Sequence, residues 1–174
     1  MQFKKIVTER HYLIPFTLCI CTEVLNNDFT SLRNMNINPG EAWPDEDMLE
    51  TLPRIIGKLN LVAAPSGFES WIIIEKESNL VIGDTGFKGL PDINGAADIG
   101  YGIIASARRK GYAAEAVNGL IKWAFLQPEL NLITASCETT NTGSAKVLKG
   151  LGFKCKGVNE EMFEWELSAP VTII

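Results

Sequence analysis

Residues Arg108-Arg109-Lys110-Gly111-Tyr112-Ala113 set three adjacent cations and a glycine ahead of a segment with apolar residues at 3- and 4-residue spacing. A helix that starts there presents unpaired backbone N–H groups and the positive end of its dipole. Gly111 lets a bulky oxyanion come close to that backbone. The chemistry on offer is a diphosphate seat, and a plain helix cap is the competing reading of the same residues. The run is neither G-x4-G-K-[ST] nor G-x-G-x-x-G, which disfavours nucleoside triphosphates and dinucleotides.

Other reactive residue types are sparse. Cys19, Cys21, Cys137 and Cys155 make no C-x2-4-C pair, and the lone His11 near the Cys19/Cys21 pair does not complete a zinc set, so no metal is expected. Reduced, mostly buried thiols are expected, and His11 reads as a surface or tail residue rather than a base. Sixteen Lys and Arg against 21 Asp and Glu give a formal charge of −5. That balance disfavours nucleic acid and anionic membrane as bulk partners, so a phosphate-bearing ligand must be met locally.

No apolar run approaches the roughly 18 residues that span a bilayer. Lys4, Lys5 and Arg10 before the apolar stretch Tyr12 to Cys21 imitate a secretory segment, but Glu9, Pro15, Thr17 and Glu23 argue against it, and a cytoplasmic location is expected. A chain of 174 residues and 19.1 kDa, 46% hydrophobic and 21% charged, suits one globular domain over 1–174.

The elements that must position the basic turn follow from periodicity. A first strand is predicted at Phe16 to Cys21 and a short helix at Thr22 to Asn27, capped by Thr22. A helix from Pro44 to about Lys58 places Pro44 at its first turn. The acids Glu41, Asp45, Glu46, Asp47 and Glu50 at its start form a solvated helix end or a rim that attracts a cation. Strands at 70–76, 80–88 and 97–104 with short turns predict an antiparallel meander. A helix follows from Gly111 to Phe125, then a strand at 132–137, a helix at 142–151 closed by Gly152, and strands at 153–155 and 162–167. This is an α+β order, a sheet with helices on its faces.

Three ordered motifs carry a specific resemblance. Arg108-x-x-Gly111-x-Ala113 resembles the [Q/R]-x-x-G-x-[G/A] element of the GNAT superfamily of acyl-CoA-dependent N-acyltransferases. Ala-Asp-Ile-Gly-Tyr-Gly-Ile at 97–103 is similar to the fourth-strand segment of its ribosomal-protein N-acetyltransferase branch (RimJ/RimL-like). Asn141-x-x-Ser144 followed by Leu151-Gly152-Phe153 resembles that branch's N-x-x-S-x6-L-G-F element. The likeness covers residues 80–167 well and 12–60 only by element order.

The resemblance implies a GNAT fold, a mixed and mostly antiparallel sheet with helices on both faces, splayed between its fourth and fifth strands. It implies acetyl-CoA as cosubstrate, with the backbone of Ile103, Ile104 and Ala105 pairing with the pantetheine arm. The turn Arg108, Arg109, Lys110, Gly111, Tyr112 and Ala113 would hold the diphosphate, and Asn141 would bond the pantetheine. Where Gly102 and Ala105 stand the family usually has a bulky residue and often Pro, so a more open cleft wall is expected.

Attack of a neutral amine on the thioester requires a proton acceptor and stabilisation of an oxyanion, for which the backbone N–H of Ile103 is the expected donor. Asp98 is the first choice of base, because relatives often carry Glu in that strand place, with a strand-edge structural acid as its alternative. Glu138 is second choice against a solvated loop acid. Ser144 is a candidate proton donor to the leaving thiolate against a helix-start hydroxyl, and Tyr101 and Tyr112 read as packing residues. The acceptor would be an amine, on a small molecule or a protein N-terminus, and the protein a monomer or homodimer. A GNAT-fold module that binds acyl-CoA or a partner without turnover is the alternative.

Overall fold

The computed structural model describes residues 5–170. Eight strands form one sheet: β1 (Ile6–Val7), β2 (His11–Pro15), β3 (Ser70–Glu75), β4 (Val81–Phe87), β5 (Ala96–Ile103), β6 (Leu132–Glu138), β7 (Lys154–Asn159) and β8 (Met162–Ser168). Five helices are α1 (Leu18–Leu25), α2 (Thr30–Asn34), α3 (Glu46–Leu59), α4 (Tyr112–Ala124) and α5 (Thr142–Gly150). The strand order is β1-β2-β3-β4-β5-β6-β8-β7, and every neighbouring pair is antiparallel except β5 with β6. The mixed α+β GNAT architecture expected from the sequence is thus present, with β5 and β6 as the family's fourth and fifth strands.

Side chains of a strand alternate between faces. Register places Trp71, Thr85 and Tyr101 side by side, and Ile72, Asp84 and Gly102 on the opposite face. On the first face α4 packs, with Trp123 against Trp71 and Phe68 at ring distances of 5.6 and 5.4 Å. On the second lies α3, whose Met48, Leu52, Ile55 and Leu59 are buried. The meander β3-β4-β5 carries the core, since Ile72, Ile73, Ile74, Val81, Ile82 and Ile99 are all nearly solvent-free.

The N-terminal part departs from expectation. Residues 16–21 are not a strand: the strand is His11–Pro15, and Thr17 opens α1 by accepting a hydrogen bond from Ile20 N. Pro15 and the capping hydroxyl stop the ladder in an apolar run too short to show its period. Thr22, expected as the cap, lies inside α1 and bonds Leu18 O at 2.8 Å. Asp45, not Pro44, starts α3, with its carboxylate accepting from Met48 N. β7 extends to Asn159, beyond the expected 155, because it is a sheet-edge strand exposed along its whole length and carries no apolar pattern. His11 is fully buried rather than a surface residue, and only Cys21 and Cys137 of the four free thiols are buried. Of the secretory-like flank, Lys4 lies outside the described residues. No described helix is long and apolar enough to cross a membrane.

Candidate active site

The parallel pair β5/β6 holds together only at Ala96, Ala97 and Asp98 against Leu132, Ile133 and Thr134. Beyond that point β5 stays with β4 and β6 stays with β8, so the sheet opens into a V toward the ends of both strands. The mouth of the V is flanked by the starts of two helices, α4 and α5.

At the first of these, Gly111 caps α4 in the left-handed region, φ +78°, and makes no side-chain cap bond. None of the backbone N–H groups from Arg109 to Ala114 donates to another backbone group, and Arg109 is also left-handed at φ +62°. A Cβ on Gly111 would meet nothing closer than Arg10 Nη2 at 3.5 Å, so the space over the turn is free for a ligand. Unpaired donors and an open approach fit a diphosphate. The turn is held from behind: Arg10 Nη1 donates to Lys110 O at 3.0 Å, and Glu115 accepts from Arg10 Nε, Arg10 N and Thr8 Oγ1 at 2.6–2.7 Å. Arg10 and Glu115 were not legible as site residues, since 105 positions separate them. Tyr112 is structural through its ring and hydroxyl, packing on His11 and donating to Glu75 at 2.6 Å.

Two expected ligand contacts are engaged internally. Ile104 N donates to Ile82 O at 3.0 Å, and Ile103 O accepts from Arg108 Nε at 2.8 Å. The Arg108 side chain therefore folds back over the end of β5, away from the phosphate turn expected for it. Ala105 opens a short 3-10 turn, Ala105–Ala107.

Across the V, Asn141 caps α5 by accepting from Ser144 N at 3.0 Å, which leaves its amide N–H2 unspent. Tyr101 hydroxyl donates to Ser144 O at 3.2 Å and so bridges β5 to α5 over the gap. Burial raises the Tyr101 pKa, keeping it a neutral donor. Ser144 and Tyr101 are thus brought together, and Glu138 is left exposed at the end of β6 with only a long bond from Thr140.

On the α3 face a cavity of about 310 Å³ lies over Gly86, Gly100 and Gly102. Glycines make this hollow: a Cβ at Gly100 would meet nothing within 4 Å, and at Gly102 only Asp84 Oδ1 at 3.4 Å. Asp98, the expected base, does not line it; it pairs with Lys88 at 2.5 Å, beside the still-closed part of β5/β6. Asp84 does line it. Burial, and then the negative charges of Asp45 and Asp47, push the Asp84 carboxyl up to about 7. The sequence signal was present but unread: one acid, between Gly83 and Thr85-Gly86, in a strand otherwise buried.

A sheet opened next to a glycine-started helix fits the GNAT class that the sequence motifs resemble. Comparison with known proteins agrees: the family model of the acetyltransferase (GNAT) domain matches residues 23–154. The chain is 38% identical over 158 residues to the uncharacterized N-acetyltransferase YjdG of Bacillus subtilis (strain 168), covering 91% of this chain and 94% of that one. In fold it matches a ribosomal-protein-S5-alanine acetyltransferase from Vibrio fischeri, at TM-score 0.68, 19% identity and coverage of 97% and 98%. It also matches RimL, a ribosomal L7/L12 alpha-N-protein acetyltransferase in complex with coenzyme A, at TM-score 0.69, 17% identity and coverage of 95% and 98%. The chain belongs to the GNAT acetyltransferase family and is an N-acetyltransferase.

Proposed function

We propose that this acetyltransferase takes its acetyl group from acetyl-CoA and passes it to a primary amine in a ternary complex. The observation that carries the reading is the opened β5/β6 edge lying beside six unpaired N–H groups at Arg109 to Ala114. The N–H groups receive the diphosphate, the Asn141 amide turns to the pantetheine, and Ser144 with Tyr101 borders the thioester sulfur. The amine enters from the α3 side, through the cavity over Gly100 and Gly102.

Relatives in fold that are named for protein α-amine acetylation support an N-terminal α-amine as acceptor. At pH 7 such an amine, with pKa of about 7.7–8, is roughly a tenth to a fifth neutral, whereas a lysine amine near 10.4 is neutral in only about one part in two thousand. The test is turnover of acetyl-CoA with alanyl and seryl peptides, spermidine, an aminoglycoside and free amino acids. Free CoA should be read by chromatography, because thiol reagents also titrate the exposed Cys19 and Cys155. Release of CoA with an α-amine above that with the lysyl analogue is expected. Saturable CoA binding without turnover of any amine would overturn the reading.

A further inference from the structure

We propose that Asp84 is the proton acceptor for the incoming amine, and that the glycine-floored cavity above it admits that amine as a cation. The inference rests on the acetyl-transfer reading and adds the residue and the charge of the acceptor.

Geometry comes first. Asp84 sits next to Gly102 across the β4/β5 ladder, and Gly102 is one residue before the end of β5, the strand whose far edge opens into the V. The missing side chain at Gly102 leaves a gap beside Asp84 Oδ1, which a Cβ there would meet at 3.4 Å, on the strand whose far edge would face an acyl thioester in the V. A bulky residue there would close it.

The charged groups around the cavity single out the same carboxylate. Glu69 is spent on Ser66 and Gly67 at 2.8–3.0 Å. Lys58 is bonded to Lys88 O, Lys88 is paired with Asp98, and Arg108 is bonded to Ile103 O. Arg54 is exposed on α3, and Asp45 caps α3 while Asp47 sits in its first turn. Asp84 has no hydrogen-bond or ion-pair partner among the described residues. A carboxylate held in a cavity without a counter-ion, facing two further carboxylates, is stabilised by a cation and by little else.

Its raised pKa, about 7, places it close to that of an α-ammonium group, so the proton passes between them with little uphill cost. Asp84 takes the proton that converts the ammonium to an amine. The nitrogen lone pair then forms the N–C bond as the C–S bond breaks with its electron pair on sulfur. The second N–H proton neutralises the thiolate, and Asp84 returns its own to solvent, so each turnover yields amide, free thiol and one proton.

The experiment is the pH profile of kcat/KM, from 5.5 to 9, with the best acceptor of the panel above, beside CoA affinity by calorimetry. Asp84→Asn should keep CoA affinity, lose roughly 10²–10⁴ in kcat/KM and lose the limb that rises near pH 7. Asp45→Asn with Asp47→Asn should retain the limb and move it to lower pH, and that variant decides the matter if Asp84→Asn does not bind CoA. Wild-type activity with Asp84→Asn within threefold and an unmoved limb overturns Asp84 while leaving acetyl transfer intact. Absence of wild-type turnover overturns the transfer itself, and Asp84's role with it.

Discussion

Two carboxylates, one on each side of the sheet, are treated in opposite ways. Glu115, in the first turn of α4, is also pushed up by burial, yet bonds from Thr8 and Arg10 and the charge of His11 outweigh this and hold it at about 2. Asp84, in its cavity, receives no such donor and stands near 7. The difference teaches where each group's free energy goes. Glu115 is saturated by the protein and, through Arg10, fastens the Thr8–Arg10 segment to the turn that starts α4. Asp84 is left for something that arrives from outside.

The largest expected effect breaks the contrast at its functional end. Asp84→Asn should gain thermal stability while losing activity, and the gain should depend on pH. An acid whose folded pKa exceeds its unfolded value of 3.8 costs the fold stability as pH rises from about 4 to 7. The Tm of the variant should therefore exceed that of wild type at pH 8 and approach it at pH 4.

Next in size is Glu115→Ala, which removes three hydrogen bonds, two of them to solvent-exposed donors, and should cost about 1–2 kcal/mol in denaturant unfolding. The native carboxylate's contribution is full above pH 4.5 and lost as pH falls through about 2, so wild type and variant should converge in acid. Gly111→Val comes third. It strains a left-handed backbone and fills the space over the turn, and CoA affinity in calorimetry should fall about tenfold, or roughly 1.4 kcal/mol. Smallest is Asp98→Asn, which removes a partly exposed pair with Lys88 and should alter kcat/KM by less than about threefold. A loss of a hundredfold there would return the base to Asp98 and take it away from Asp84, on the same face of the sheet.

What was legible divides along the same line. The start of α4 at Gly111 could be read because a helix start, a glycine and three cations are contiguous, and that signal is local. The meander was legible for the same reason, each strand being bounded by its own turns. Asp84 was not, because its pKa depends on α3 and its cavity on Gly86, Gly100 and Gly102, which only strand register brings beneath it. Asp98 was chosen from its place on β5. Sequence could not show that Lys88, ten residues earlier, would come to pair with it. His11 reads from the sequence as a surface residue because a lone histidine in a polar flank gives no hint of Tyr112 and Glu115 closing over it.

The bond from Arg10 to Lys110 joins residues made 100 positions apart. During synthesis β1 and β2 emerge first and can pair with each other, but β2 must wait for β3 to join the wider sheet, and for α4 before Glu115 can receive Arg10. The basic turn before α4 is therefore among the later parts of the molecule to be finished, since closing so long a loop precedes any gain from it. A nascent chain halted before residue 110 would hold the meander strands but not the turn before α4 that Arg10 pins. Closure of that turn and fixing of the Thr8–Arg10 segment would then come in one event.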